Sequence, residues 1–276
     1  LTARVIVNRI WKHHFGRGIV ATLDDFGAAG ARPTHPELLD WLAVEFIESG
    51  WSLKHLHRLL MTSATYQQGS SVAREHQLID PDNRWLSRMP LRRMEAEVLR
   101  DSLLAMSDKL DRRAFGPADG IESREDGLVT SRAQGGGYRR SVYVLKRRTK
   151  RLTILDNFDR PRMSPNCVDR TVSTVAPQAL HLMNNKMVHQ LSLSFADRLI
   201  SEAGMAASAQ IQNMYLTAIG RPPDDAELEA LTDSLVTLRG HWETHLVQNA
   251  KASKEKKVLE EKKVERDAHR FALGNL

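Results

Sequence analysis

Residues 34–60 read THPELLDWLAVEFIESGWSLKHLHRLL, and this stretch decides the fold. Thr34-His35-Pro36-Glu37 has the form of a capping box, in which the Thr34 hydroxyl and the Glu37 carboxylate satisfy free N–H groups at a helix start. Leu38, Leu39, Leu42 and Phe46 follow at helical spacing. Ser49-Gly50-Trp51-Ser52 turns the chain, and Leu53, Leu56, Leu59 and Leu60 repeat the helical period. Two helices on a short glycine-containing turn predict an αα-hairpin, with Trp41 and Trp51 as apolar anchors.

The same reading extends outward to a mainly α, multi-helix domain over residues 1–250 with αα-hairpins and one small β-hairpin. Thr2 to Phe15 places Val5, Ile6, Ile10 and Trp11 near helical spacing, and Gly16 and Gly18 stop it. Asp24-Asp25-Phe26-Gly27 is a loop, and Gln68 to Pro90 is connection with short helical pieces. Met94 to Leu110 predicts a helix with Val98, Leu99, Leu103, Met106 and Leu110 inside. Its polar face carries Arg93, Glu97, Arg100 and Asp101, spaced for ion pairs. Leu128 to Arg132 and Tyr138 to Lys146 have strand composition and predict a hairpin across Gly135-Gly136-Gly137. Helices are expected over about Pro177 to Met183, Val188 to Glu202 and Ala207 to Ile219. Gly220-Arg221-Pro222-Pro223 breaks the chain, and Asp224 with Glu227 restarts it through a second capping box.

The end differs in character. Lys251 to Arg270 is mainly Lys and Glu and reads as a solvated helical arm, although pairs such as Lys251–Glu255 and Lys257–Glu261 run in the weaker, Lys-first orientation. Apolar residues return at Phe271, Ala272 and Leu273, as at the start of a further packed helix over 271–276. With Leu rather than Met at residue 1, both ends read as boundaries inside a longer protein.

Composition narrows the function classes. A hydrophobic fraction of 41% and a charged fraction of 27% are those of a globular protein. No apolar run approaches the ~18 residues of a membrane span. The net charge of +6 comes from 40 basic residues set against 34 acidic ones, so it reads as diffuse surface charge, with an anionic ligand allowed and nucleic acid not expected. The single cysteine, Cys167, excludes an internal disulfide, a Cys-rich zinc site and a C-x-x-C-H haem attachment. No cofactor is expected in this chain.

Several blocks together carry a family resemblance. They are Ala3-Arg4-Val5-Ile6-Val7-Asn8-Arg9-Ile10-Trp11 into Phe15-Gly16-Arg17-Gly18-Ile19-Val20; Asp25-Phe26-Gly27; His35 to Leu42; Gly50-Trp51; and Ser63-Ala64-Thr65-Tyr66. Further on come Glu97 to Asp101, Arg139 to Tyr143, Phe158-Asp159, Cys167, Arg170, Thr174, Gln178-Ala179-Leu180 and Gly220 to Pro223. In these blocks the chain resembles a planctomycete-specific domain of unknown function that lies downstream of planctomycete cytochrome-c-like domains. The resemblance implies a large exported parent, a periplasmic or cell-envelope location, and partner domains in the same parent with haem-type motifs. It implies no established activity.

Four groups of residues could carry chemistry. Asp25, His35, Asp40, Arg140, Asp159, Arg170 and Gln178 form a candidate cluster. Its carboxylates and imidazole suit a metal or acid–base work, and its arginines suit an anionic substrate. The bland alternative is that these residues cap helices and pair with one another. His241 and His245 share a helix face at i,i+4, but Glu243 is two places after the first His, where a zinc-protease motif needs it directly after. The 35–66 hairpin has helix-turn-helix proportions, with Lys54, His57 and Arg58 able to meet phosphates, against the plainer reading of a core hairpin. Cys167 would be a nucleophile only with a base such as His181 beside it. These readings make the chain a binding or scaffold module first, a hydrolase-like enzyme centred on Asp25, His35 and Asp159 second, and a nucleic-acid binder third.

Overall fold

The computed structural model describes residues 1–71, 74–134, 137–161, 167, 169–252 and 261–276. Its helices far outweigh its strands, as the periodicity predicts. The contacts divide the chain into two compact units, where the sequence alone suggests one domain over 1–250. Unit 1 is Leu1–Arg93 with Pro161–Thr171, and unit 2 is Met94–Arg160 with Val172–Leu276. Among the described residues no helix is long and apolar enough to cross a membrane.

Unit 1 is built on α1 (Thr2–Phe15), α2 (Pro36–Glu48) and α3 (Leu53–Met61), with a short α4 (Arg74–Ile79). The buried edge of α1 is Ala3, Val7, Trp11 and Phe15, one residue every turn. The predicted Val5, Ile6 and Ile10 are only partly covered. Gly16 ends the helix at φ 82°, a left-handed conformation that glycine adopts without strain, and its N–H donates to Lys12 O at 2.8 Å. The αα-hairpin forms as expected: Leu39, Leu42 and Phe46 of α2 and Leu56 and Leu60 of α3 join the α1 edge in one core. Full burial of a leucine such as Leu56 contributes about 1.5–3 kcal/mol.

Three local expectations for the hairpin are corrected. The Thr34–Glu37 capping box does not form: His35 is the N-cap, without a side-chain cap bond, and the Thr34 hydroxyl instead donates to Ile19 O at 3.3 Å. The fixed φ of Pro36 at the first helical position starts the helix without that cap. Leu53 is 51% exposed, because α3 is entered through Ser52, whose hydroxyl accepts from His55 N at 3.3 Å, with Leu53 outside the seam. Trp41 and Trp51 are also about half exposed, at 51% and 47%. Trp51 adopts φ 60°, held by Trp51 N–H to Phe46 O at 2.9 Å and an edge-on contact with the Phe46 ring at 5.2 Å.

In unit 2, α5 (Ala96–Met106) leads into short strands β1 (Leu110–Asp111), β2 (Ile121–Ser123), β3 (Val129–Ser131) and β4 (Tyr138–Arg139), then a 3-10 turn at Ser141–Tyr143. The helices α6 (Thr153–Asn157), α7 (Ala176–Asn184), α8 (Lys186–Ala203), α9 (Ala207–Ala218), α10 (Asp225–Ala252) and α11 (Glu261–Gly274) follow. One small antiparallel hairpin exists, but between β2 and β3, with Glu122 opposite Thr130. β4 instead runs parallel to β1, with Tyr138 opposite Leu110. The predicted turn residues Gly135 and Gly136 lie outside the described residues.

Two apolar clusters hold unit 2. Ala96 of α5 packs with Leu152, Ile154, Leu155 and Phe158. Ala196 and Leu199 of α8 pack with Leu235 of α10 and with Ala272 and Leu273 of α11. The second capping box is present: Glu227 N–H donates to Asp224 Oδ1 at 2.8 Å, and Asp224 N–H to Glu227 Oε2 at 2.9 Å. The Arg221 fork also grips Glu227 at 2.6 and 2.7 Å and, with the capping contact, holds its carboxyl down at about 2. The charged end becomes a packed helix earlier than composition suggests. α11 begins at Glu261, and Ala268 and His269 are already buried. The Lys251–Glu255 and Lys257–Glu261 pairs fall outside the described side chains.

Candidate functional site

Among the described residues, unit 1 carries a cleft of about 280 Å³. Its walls come from three stretches: the end of α1 with the loop after it, the entry to α2, and residues 82–92. Arg17, His35, Arg84 and Arg92 bring positive or polar nitrogen to it, Asp82 brings a carboxylate, and Trp11 and Phe15 form apolar lining.

Each wall is held by bonds that follow from local sequence. The Asn8 side chain, wholly buried on α1, donates from Nδ2 to Val20 O and accepts at Oδ1 from Val20 N–H, both at 2.9 Å. This fixes the Gly16–Val20 loop against its own helix. A Cβ at Gly18 would come within 2.4 Å of Val20 O and 2.8 Å of Asn8 Nδ2, so the loop requires glycine there. Thr34 N–H reaches Ile19 O at 2.9 Å and ties the α2 entry to the same loop. On the third wall the buried Asp80 carboxylate accepts from Arg84 N–H and Trp85 N–H, both at 2.8 Å. These contacts hold its pKa below the ordinary carboxylate value against the opposing effect of burial. Asn83 Nδ2 closes the stretch on Arg88 O at 2.8 Å.

The cations are not equivalent. Arg92 donates to His13 O at 2.6 Å and so covers a carbonyl at the negative end of α1. Arg17 and Arg84 are exposed, and among the described residues neither side chain has a hydrogen bond or ion pair. His35 Nδ1 is bonded to Thr34 Oγ1 at 2.9 Å.

Of the sequence-predicted cluster, Asp25, His35, Asp40 and Arg170 belong to unit 1. Asp25 Oδ1 accepts from Gly27 N–H at 2.8 Å within its own turn, and Asp40 pairs with Arg4 at 2.6 Å on the exposed side of α2. Arg170 lies in the 161–171 segment, where the neighbouring Asp169 pairs with Lys12 at 2.6 Å. Arg140, Asp159 and Gln178 belong to unit 2, which brings the last two together around Ser173. Asp159 accepts from Ser173 N–H at 2.7 Å and from its hydroxyl at 2.8 Å, while Gln178 Nε2 donates to Asn157 O at 2.8 Å and to Ser173 O at 3.3 Å.

Arg140 is 3.9 Å from Asp101, with its side chain 61% exposed. The buried guanidiniums of unit 2 are instead Arg100, expected on the polar face of α5, and Arg139, which was no site candidate. Arg100 is 1% exposed and donates to Arg139 O at 3.1 Å, Ser141 Oγ at 3.2 Å, Asp101 Oδ1 at 3.2 Å and Ser131 Oγ at 2.9 Å. Burial pushes its pKa below the ordinary arginine value, with Asp101 opposing. The expectation that Arg100 lies on a polar face of α5 is corrected accordingly: Arg100 points into unit 2, where it pairs with Asp101 at 3.2 Å. Arg139 donates to the carbonyls of Arg113, Pro117 and Phe115 and lies over the Tyr143 ring at 4.2 Å. The missed signal was Arg100 in register with Ala96 and Leu104, which are both buried on α5.

The remaining candidates resolve locally. His245 meets the Trp242 ring edge-on at 5.5 Å, and His241 is exposed. Among the described residues no group of three or more His, Cys, Asp or Glu could hold a metal ion. Cys167 Sγ donates to Asp169 O at 2.9 Å, while burial lowers the His181 pKa and its Nδ1 meets Asn157 Nδ2 at 3.3 Å. On α3, Lys54 and Arg58 are exposed, and His57 Nδ1 lies 2.8 Å from His14 Nε2. Burial, then His57, Arg92 and His13, depress the His14 pKa.

The chain is thus a mainly α protein of two compact units, one carrying an arginine-lined cleft. It belongs to the family described as protein of unknown function (DUF1553), PSD1, whose model matches residues 1–235. The match spans unit 1 and continues into α10. No curated protein and no solved structure matches the chain.

Proposed function

We propose that the chain is a binding and scaffold module whose unit 1 cleft takes an anionic ligand. The observation that carries this reading is the pair of exposed arginines, Arg17 and Arg84, whose side chains make no hydrogen bond or ion pair among the described residues, on a cleft whose walls are fixed by Asn8, Thr34 and Asp80. Fixed walls lower the ordering cost of binding. Elsewhere polar side chains are engaged in ties that shape the fold, as in the Arg100–Ser141 and Asp159–Ser173 contacts. We place the module in a larger exported, cytochrome-c-associated planctomycete protein, on the family resemblance of its sequence blocks, with the other domains of that parent as partners.

Melting the full chain in acetate or inorganic phosphate, against chloride at matched ionic strength, tests the cleft. Anion-dependent stabilisation that disappears in the Arg17→Ala/Arg84→Ala double variant is expected. Equal stabilisation of that variant would exclude the cleft as the site. The parental reading frame tests the context: an export signal and haem-type cysteine motifs upstream support it, and their absence removes it.

A further inference from the structure

Resting on the anion-binding reading, we infer that the unit 1 cleft is selective for a small organic monocarboxylate with a compact apolar body, of about the size of one ring. Three observations converge on this class.

The first is charge. Three arginines line the cleft, but Arg92 is committed to His13 O and Asp82 contributes a negative charge. That leaves Arg17 and Arg84, the latter also attracted by the buried Asp80 carboxylate, set against Asp82. One negative charge on the ligand balances this set, whereas a second would meet Asp82 without a further free guanidinium. A carboxylate also matches the planar fork of an arginine, which donates two parallel hydrogen bonds to its two oxygens. Thr34 and His35, at the entry to α2, line the cleft, and the start of this 13-residue helix, uncapped by the His35 side chain, lies directly after them.

The second is the lining. Trp11 and Phe15, stacked at 4.2 Å between centroids, form the buried floor of the cleft with Ile19, and Leu86, Pro90 and Leu91 bring more accessible apolar surface to its rim. A fully hydrated inorganic anion gains nothing from such surface. An apolar body placed there removes area from water at about 25 cal/mol per Å². The third is size. About 280 Å³ lies just below the usual range for drug-sized ligands and accommodates a single ring with a short substituent.

The experiment is calorimetric titration of the full chain with benzoate, inorganic phosphate and benzyl alcohol. These probes present the charge with a ring, a charge alone and a ring alone. Benzoate is expected to bind about tenfold or more tighter than either of the others. Arg17→Ala and Arg84→Ala should each weaken benzoate binding by about fivefold or more. Both residues are exposed, so the variants should melt within about 1 °C of the parent without ligand. Phosphate binding more tightly than benzoate, with the same arginine dependence, would overturn the ligand class and leave the anion-binding reading standing. Benzoate binding that ignores both substitutions, or no binding by any anion, would overturn both.

Discussion

The Asn8 amide grips both polar groups of the Val20 backbone, donating to its carbonyl and accepting from its N–H, each at 2.9 Å. One buried side chain thereby sets the loop that carries Arg17 into the cleft. Asn8→Asp keeps the size but puts a carboxylate oxygen opposite the Val20 carbonyl. The change should destabilise the protein by about 2–4 kcal/mol, from one lost donor and a buried charge. Denaturant unfolding measures it, and a loss below about 0.5 kcal/mol would contradict the role assigned to Asn8.

Arg100 makes the corresponding test in unit 2. Arg100→Met preserves much of the volume but removes the donors that reach Ser131, Ser141 and Asp101. The expected loss is about 3 kcal/mol or more, because buried acceptors lose their cation. Arg140→Met, at an exposed position, should change stability by less than about 0.5 kcal/mol. Comparable losses for the two variants would show that the buried network has been assigned to the wrong arginine.

Asp159 is bonded to the N–H and hydroxyl of Ser173 and adopts φ 59°. Asparagine tolerates that backbone and retains one acceptor oxygen. Asp159→Asn should therefore cost only about 1 kcal/mol, and Asp159→Ala about 2 kcal/mol. Thermal melts of the two variants should separate in that order. If they coincide, Ser173 is not what holds Asp159.

Acid stability should track His269. Its Nε2 faces Gln210 Oε1 at 2.8 Å, and its buried Nδ1 has no partner among the described residues. Burial, then Arg239, lowers its folded pKa below 6.5, with Glu265 opposing. A lowered imidazole pKa means that the unfolded chain binds the proton more readily. Stability is therefore intact above about pH 6.5 and declines as pH falls towards the folded value. His269→Gln, which stays neutral, should flatten the fall in melting temperature between about pH 7 and pH 5. An unchanged slope would move the effect elsewhere, with His181 next because burial also lowers its pKa.

Elements with several turns of periodicity were legible from sequence: α1 and its Gly16 stop, the α2–α3 hairpin, and the Asp224–Glu227 box. The β pairing was not. β1 and β4 have two residues each, too few to show alternation, and the chain on either side of the glycine run pairs only at the antiparallel Gln134–Gly137 bridge before β3 and β4 turn to other partners. Trp41 and Trp51 misled because apolar character permits exposure as well as burial. The site was legible in its ingredients only. Of the cleft residues only His35 was a site candidate from sequence; Arg17 sits in a loop read merely as a helix stop, and Arg84 and Arg92 enter through loop bonds from Asp80 and to His13 that leave no periodic trace.

Trp11 has an optical consequence. Of the five tryptophans, Trp41, Trp51 and Trp85 are about half exposed or more, whereas Trp11 is 5% exposed and borders the cleft. Trp242 is partly covered in unit 2, stacked on Phe271 at 4.8 Å. With Trp242→Phe in place, the blue edge of the emission band belongs chiefly to Trp11 and the red edge to the three exposed indoles. A dissolved quencher should strip the red edge first, and a ring entering the cleft should act on the blue. The protein thus carries its own fluorescent gauge of cleft occupancy, free of any attached dye.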